Sequence, residues 1–210
     1  EVVSGLSNPV ILGGVYVDSP DNRFSYFAAE PIDEFEFRMG DVEPFEKLQA
    51  KLNKYSFAGE KNAELADGMF TGGWVGFFAY ELGRYIEDIP HSTRDDIPLP
   101  LIRLDFYDKV ICRDNRQNCF WLFVLQFEDE AANAEDKMSY LEALLDKAAN
   151  IQTSKSERVK DTKDELGGFD CNMSRDDYHR GLERILEYIY EGDVYQINFS
   201  QRFSCRFSAR

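Results

Sequence analysis

The sequence predicts an α+β protein with layered antiparallel β-sheets and helices on the outside. Segments rich in β-branched and aromatic residues, bounded by turn residues, recur through the N-terminal part, while helical apolar spacing is confined to three separate stretches. Hydrophobic residues make up 43% of the 210 residues and aromatic residues 14%. This content supports a folded core and excludes disorder for most of the chain.

The N-terminal β-structure is predicted from Val10 to Phe37. An apolar run over 10–17 ends at the breaker cluster 18–22, and aromatic residues resume over 24–37. Proline presets φ in a turn, and Asp or Asn side chains bond to the local backbone. A hairpin or meander with its turn at the breaker cluster follows from this pattern.

A short helix is predicted next, because Phe45, Leu48 and Leu52 recur at helical spacing. Asp41 is the expected cap, and Pro44 suits the first turn. A polar connection separates this helix from the next apolar segment.

Glycines punctuate the aromatic run that follows. They occupy positions 72, 73, 76 and 83. Because glycine lets one backbone approach another closely, this run predicts tight packing between layers, with Trp74 in the core.

Two further strands are predicted at Pro100–Arg113 and Asn118–Phe127. The second is almost continuously apolar, which is typical of a strand covered on both faces. A helix is predicted at Asn133–Ala149, since its apolar residues share one stripe and acids occupy its first turn.

The domain boundary is predicted in the polar stretch from Asn150 to Gly168. Large apolar side chains are almost absent there, so the stretch cannot bury enough surface to order itself. We therefore expect an N-terminal domain at residues 1–165 and a second unit at residues 170–210.

The second unit is predicted to be one helix followed by one strand. Ser174 caps the helix, Asp177 completes a short-armed capping box, and Gly192 supplies the left-handed stop. Alternation of apolar and polar residues over 194–207 predicts the strand.

The charge of the chain excludes several functions. The 24 Lys and Arg against 39 Asp and Glu give a net charge of −15, which repels nucleic-acid phosphates and anionic lipids.

No apolar run is long enough for a membrane span or a secretory signal. The four cysteines and two histidines show no metal-binding spacing. We expect a cytoplasmic protein with reduced thiols and with neither nucleic-acid nor membrane partner.

Three segments together resemble the chorismate-utilising enzymes, namely component I of aminodeoxychorismate (para-aminobenzoate) synthase and its relative anthranilate synthase component I. The segments are GGWVGFFAYELGR at 72–84, PLPLIRLDFYDKVICRD at 98–114 and DYHRGLERILEYIYEGDVYQINFSQRF at 177–203. The ELGR ending favours the aminodeoxychorismate branch, and the anthranilate branch is the alternative.

The resemblance implies a two-part enzyme of folate biosynthesis. Component I exchanges the 4-hydroxyl of chorismate for an amino group in a transaminase-type step, requires magnesium, and receives ammonia from a glutamine amidotransferase subunit. The family's acid-base glutamate, lysine nucleophile and magnesium-binding glutamates lie downstream of the helix-strand unit. The resemblance therefore implies no catalytic residue and no metal ligand in this chain, which we expect to be inactive alone.

The resemblance also implies a tryptophan site in the first hairpin. The positions that bind tryptophan in the family match five residues of this sequence, namely Gly14, Asp21, Asn22, Arg23 and Phe24. Gly14 departs from the family's serine and has no hydroxyl to offer a ligand. Taken without the resemblance, Arg23 is a solvated side chain or a brace between strands. The rival function is a non-catalytic module that binds tryptophan or docks the glutaminase.

Overall fold

The computed structural model describes residues 2–13, 23–56, 68–90, 97–128, 133–151 and 168–205. The chain divides into two units, Glu1–Gln152 and Thr153–Arg210. The predicted turn at 18–22 and most of the predicted polar boundary lie outside the described residues.

The described residues of the first unit form two antiparallel sheets. The four-stranded sheet, in the order β1-β2-β6-β7, consists of Val10–Leu12 (β1), Phe24–Ala28 (β2), Lys109–Asp114 (β6) and Cys119–Val124 (β7). The three-stranded sheet, in the order β3-β5-β4, consists of Asp33–Phe37 (β3), Ile102–Tyr107 (β5) and Gly73–Phe78 (β4). The predicted α+β class with antiparallel sheets is confirmed.

Two hydrophobic cores lie on opposite faces of β5. On one face Tyr107 packs with Ala28 and Val110, so both sheets contribute to this core. On the other face Ile102 and Leu104 form the second core with residues from β3 and from the segment 79–85. Alternation along the strand produces this division, because successive side chains point to opposite faces. The three-stranded sheet therefore forms a layer between two cores.

Both α-helices in the described part of the first unit were predicted. Pro44–Leu52 forms α1, and Ala134–Asn150 forms α2 with Asn133 as its side-chain cap. The predicted Asp41 cap for α1 is wrong. Glu43 occupies the cap position at φ 60° without a side-chain bond, while Asp41 accepts a hydrogen bond from the Arg38 amide at 2.8 Å.

The single strand predicted at 100–113 is two strands, which belong to different sheets. They separate at Asp108, a buried carboxylate 3.0 Å from Lys109 Nζ and 2.9 Å from Lys137 Nζ on α2. The two ammonium groups compensate the buried charge. The chain leaves one sheet at Asp108 and enters the other, and the two ion pairs lie at this transition.

The apolar strand predicted near 118–127 is present, and five of the six residues of Cys119–Val124 are partly buried. This strand is β7, at the edge of its sheet, and Phe120 is 51% exposed. The more deeply buried strands are β5 and β6, which each have a strand on both sides. Apolar continuity therefore did not distinguish a central strand from an edge strand.

The glycine-aromatic segment forms β4 and then a short 3₁₀-helix, Tyr80–Tyr85. A Cβ added at Gly76 would lie 1.8 Å from the Arg103 carbonyl oxygen. The two backbones that approach closely here belong to paired strands of one sheet, whereas the prediction was close packing between layers. Trp74 is partly buried and packs against the core of β3 and β5.

The second unit contains the helix α3, Arg175–Glu191, and a two-stranded ribbon of Asp170–Cys171 (β8) and Phe203–Ser204 (β9). The predicted Ser174–Asp177 capping box is present, and Gly192 closes α3 at φ 82°.

The predicted strand over 194–207 is wrong for most of its described length. Residues 194–202 are not in a strand, and the Phe199 ring stacks on Tyr178 of α3 with centroids 5.2 Å apart. A strand needs a partner for its backbone groups. Among the described residues only β8 pairs with this segment, and it pairs with Phe203–Ser204.

Candidate functional site

The predicted tryptophan site is described only in part. Gly14, Asp21 and Asn22 lie outside the described residues. Arg23 and Phe24 stand at the start of β2 in the four-stranded sheet. The candidate site is therefore built from these two residues and their neighbours.

Arg23 forms an ion pair with Asp114, the last residue of β6. Its Nε and Nη2 donate to the same oxygen, Asp114 Oδ2, at 2.9 and 2.7 Å. The Asp114 side chain is fully buried, whereas 32% of the Arg23 side chain is exposed. The bond ties the beginning of β2 to the end of β6, which are paired strands. Arg23 is thus a brace between strands that keeps one side open to solvent.

The second oxygen of Asp114 organises the turn between β6 and β7. Asp114 Oδ1 accepts hydrogen bonds from the Arg116 and Gln117 amides at 2.9 and 3.0 Å. With Arg23, the carboxylate receives four hydrogen bonds. The Arg23 guanidinium, helped by the two amides, holds the pKa of Asp114 below its usual value despite burial. Hydrogen bonds to the charged form outweigh desolvation at this carboxylate.

Aromatic and sulfur side chains surround the ion pair. The Arg23 guanidinium lies 4.7 Å from the centre of the Phe24 ring. Strand register places Tyr26, Cys112 and Trp121 on the same face of the sheet as Asp114. Trp121 Nε1 is buried and has no hydrogen-bond partner among the described residues.

Cys112 does not supply a nucleophile at this site. The residue is fully buried, and burial, reinforced by the nearby Asp114 charge, raises the pKa of its thiol to about 11. The thiolate is the reactive form of cysteine, so this thiol stays inert near neutral pH. All four cysteines are free thiols, as predicted.

Asp114 is the site residue that the sequence analysis missed. It lies inside the segment 98–114 that carries the family resemblance, but no role was assigned to it. A usable signal was present, because an acid at the end of an apolar strand, before a polar turn, commonly bonds to the turn amides. The pairing with Arg23, 91 positions away, has no local signal.

Two other charged clusters attach helices to the first unit's sheets. Asp33 on β3 accepts hydrogen bonds from Lys51 and Lys54 at 2.6 and 2.7 Å and from the Tyr55 hydroxyl at 3.1 Å. Burial opposes ionisation of Asp33, but these bonds outweigh it and hold its pKa well below the usual value. On α2, Lys137 Nζ donates to the Leu125 carbonyl at 2.6 Å. In both clusters a charged group of a helix or its following turn pairs with a carboxylate of the sheets.

The described residues hold a candidate site and no catalytic constellation. No group of three His, Cys, Asp or Glu side chains is placed to hold a metal ion in the described ranges. Nor do the helices of the described ranges include one that is long and apolar enough to cross a membrane. What the site can do is present a fixed guanidinium to an anion.

The described chain thus consists of a domain with two antiparallel sheets, which carries the candidate site, and a following short unit that contains one helix. The chain matches the model of the chorismate binding enzyme family over residues 13–210. It therefore belongs to the chorismate binding enzymes, which confirms the resemblance.

Several relatives resemble the chain over most of its length. Aminodeoxychorismate synthase component 1 of Escherichia coli (strain K12) is 30% identical over 98% of this chain and 44% of its own length. The chloroplastic anthranilate synthase alpha subunit 1 of Oryza sativa subsp. indica is 30% identical over 88% of this chain and 36% of its own length. The chain thus spans less than half the length of these relatives.

A solved structure resembles the fold. Anthranilate synthase component I from Streptococcus pneumoniae TIGR4 superposes with a TM-score of 0.67 at 21% identity, covering 94% of this chain and 45% of the other. At that identity the similarity shows the fold alone.

Proposed function

We propose that this chain is the N-terminal portion of component I of an aminodeoxychorismate synthase. In that reaction chorismate and ammonia give 4-amino-4-deoxychorismate and water, as a step of para-aminobenzoate and folate biosynthesis in the cytoplasm. The observation that carries the proposal is the 30% identity to an aminodeoxychorismate synthase component 1 over 98% of the chain. The ELGR sequence at 81–84 also supports this branch.

The proposal includes a partner subunit and a metal ion. A glutamine amidotransferase subunit would supply the ammonia, and magnesium would bind with chorismate in the remainder of the catalytic domain. The name component 1 of the relatives supports a second component.

The chain alone is expected to be inactive on chorismate. Acid-base chemistry on a bound anion needs a base, a cationic clamp and the metal in one pocket, and the described residues assemble no such set. The assay supplies chorismate, ammonium and magnesium, and measures formation of 4-amino-4-deoxychorismate. Turnover by the isolated chain would contradict the proposal that its chemistry depends on further residues.

A chimera distinguishes the two enzyme branches. This chain replaces the matching N-terminal region of the Escherichia coli relative, and chorismate turnover is measured with ammonium and then with glutamine plus the amidotransferase subunit. We expect 4-amino-4-deoxychorismate with both nitrogen sources. A matched chimera on the rice anthranilate synthase is the control. Activity of only the anthranilate chimera would assign this chain to the other branch.

A second candidate function is tryptophan binding by the N-terminal domain. The exposed and oriented Arg23 guanidinium beside the Phe24 ring supports it, because an amino-acid carboxylate pairs well with guanidinium N–H groups. Calorimetric titration with tryptophan and with chorismate is the test. Binding of tryptophan alone favours a non-catalytic module, and absence of heat with tryptophan contradicts this candidate.

A further inference from the structure

We propose that an exposed apolar patch around the 3₁₀-helix Tyr80–Tyr85 is the surface on which the amidotransferase subunit docks. The patch consists of the exposed side chains of Phe78, Tyr80, Ile86, Ile89 and Leu99. The docking role rests on the function proposed above, which includes that subunit, and adds the place where it binds. The matching surface of the partner has an apolar centre and basic residues at its rim.

The 3₁₀-helix presents an apolar side to solvent. Three residues per turn place residues three apart on the same side. Leu82 and Tyr85 share the side that packs against the core of the three-stranded sheet. Tyr80 and Gly83 share another side, and Ile86 continues it directly after the helix. Tyr80 is 95% exposed and Ile86 is 69% exposed, so no described residue covers this side.

The patch extends beyond both ends of the helix. At the N-terminal end, Phe78 and Leu99 are 56% and 62% exposed. The Ala79 amide donates to the Leu101 carbonyl at 2.8 Å, which joins the two segments that carry these side chains. At the C-terminal end, Ile89 Cδ1 lies 3.8 Å from the position that a Cβ would take at the glycine of the exposed side. The five side chains therefore belong to one region of the first unit.

The size of the patch is that of an interaction site. An aromatic side chain buries about 150 to 250 Å² when it is covered, so Tyr80 and Phe78 alone expose roughly 300 Å². The three aliphatic side chains add to this area. Monomeric proteins rarely expose a continuous apolar patch of more than a few hundred Å², and larger ones mark interaction sites. The patch is therefore a surface that another protein covers.

Acidic side chains surround the patch. Glu81, Glu87 and Asp88 are exposed, and Arg84 is the single basic residue between positions 77 and 90. An apolar centre with a charged rim is the usual arrangement of a protein–protein interface. The acids repel anionic lipids and nucleic acids, and they steer a basic protein surface towards the patch.

The occupant that fits these features is the amidotransferase subunit. Two copies of this chain would each bring the same three carboxylates to the contact, and like charges across an interface oppose association. A different protein is free of that restriction. The relatives' name component 1 supports such a second component, and the proposed function requires it to supply ammonia from glutamine.

The first test measures binding by calorimetry. The probe is the amidotransferase subunit of the Escherichia coli aminodeoxychorismate synthase. Tyr80→Ser and Ile86→Ser should each raise the dissociation constant about tenfold, because a few large side chains at the centre of an interface dominate binding. Both side chains are exposed, so the thermal midpoint should not change. Tyr190→Ser on α3, which is 86% exposed, is the matched control and should bind normally. Unchanged affinity of both patch variants would overturn the docking role.

Charge reversal at the rim tests the chemistry of the partner surface. Glu87→Lys should slow association about threefold at low salt and weaken its salt dependence, while dissociation changes little. Glu142→Lys at an exposed position of α2 is the control, since it changes the net charge by the same amount. Equal association rates for the two variants would contradict a basic rim on the partner.

The chimera described above separates the docking role from the proposed function. Tyr80→Ser in the chimera should lower turnover with glutamine and limiting subunit about tenfold, while turnover with ammonium and no subunit is retained. An equal loss with both nitrogen sources would overturn the docking role. A chimera that is inactive with both sources contradicts the proposed function, and calorimetry on the chain still decides whether the patch binds the subunit.

Hydroxyl-radical labelling of Tyr80 identifies any other occupant. We expect fast labelling in the chain and in the chimera, and protection only after the subunit is added. Protection that rises with the concentration of the chain alone would assign the patch to a second copy. Protection in the chimera before the subunit is added would assign it to the catalytic portion. Either result would overturn the proposal.

Discussion

The two units differ sharply in how much of their apolar surface is buried. In the first unit Ile102 and Val110 are fully buried, and two cores lie on the faces of β5. In the second unit α3 has no buried residue, and Leu186 on it is 52% exposed. The helix nevertheless begins and ends where its sequence predicts.

The difference shows which structural features depend on local sequence and which depend on burial. The ends of α3 are set by Ser174, Asp177 and Gly192, whose bonds and backbone angles involve only neighbouring residues. The sheets of the first unit depend on contacts between distant segments. Stability is therefore expected to be concentrated in the first unit, and substitutions can test this.

Truncation of a core residue should have the largest effect. Ile102→Ala removes a fully buried side chain and leaves a cavity, so we expect a loss of about 4 kcal/mol in the free energy of unfolding. Leu186→Ala on the exposed stripe of α3 should cost about 0.5 kcal/mol. Urea denaturation followed by tryptophan fluorescence and by far-ultraviolet circular dichroism measures both. Equal losses for the two variants would contradict the contrast between the units.

An added methyl group at Gly76 should have the next largest effect. Its Cβ would collide with the Arg103 carbonyl of β5, which is backbone and cannot rotate away. We expect Gly76→Ala to lower the free energy of unfolding by about 2 to 3 kcal/mol. Gly5→Ala is the matched control, since nothing lies within 4 Å of its added Cβ. A thermal midpoint of Gly76→Ala equal to that of the control would show that β4 and β5 can separate freely.

Loss of the α3 cap should have a moderate and local effect. Ser174→Ala removes the side-chain acceptor for the Asp177 amide, and we expect about 1 kcal/mol of helix stability to be lost. Circular dichroism at 222 nm should fall, while fluorescence of Trp74 and Trp121 stays unchanged because both lie in the first unit. The exposed Ser200→Ala is the control. A matching change in the fluorescence midpoint would mean that the two units do not unfold independently.

The acid dependence of the Asp33 cluster should be the smallest effect. The pKa of Asp33 is held below its unfolded value by Lys51 and Lys54, against the influence of burial. Its stabilisation is therefore complete above about pH 4 and is lost as the pH falls through the lower, folded-state pKa.

The measurement compares the unmodified chain with Asp33→Asn. Their free energies of unfolding should differ by about 1 kcal/mol or less at neutral pH and converge in acid. Arg38→Gln, which removes an exposed ion pair with Glu36, is the control. A difference that grows as the pH falls would contradict the assigned direction.

Much of the candidate site could not be predicted from sequence. The resemblance pointed to Arg23 and Phe24, but Asp114 became visible only when β2 and β6 were paired. The break at Asp108 was also missed, since the two lysines that compensate its buried charge include one from α2. A periodic pattern contains no information about such a distant partner.

The sequence by itself determined the family, the antiparallel α+β class, the three helices, the Ser174 cap and the Gly192 stop. Each of these depends on spacing between neighbours or on a residue type with a specific backbone property. Tertiary structure alone decided that 100–113 is divided between two sheets, that β7 is an edge strand, and that residues 194–202 are not in a strand. Strand pairing and compensation of a buried charge require groups far apart in the chain, so their outcome depends on which segments meet.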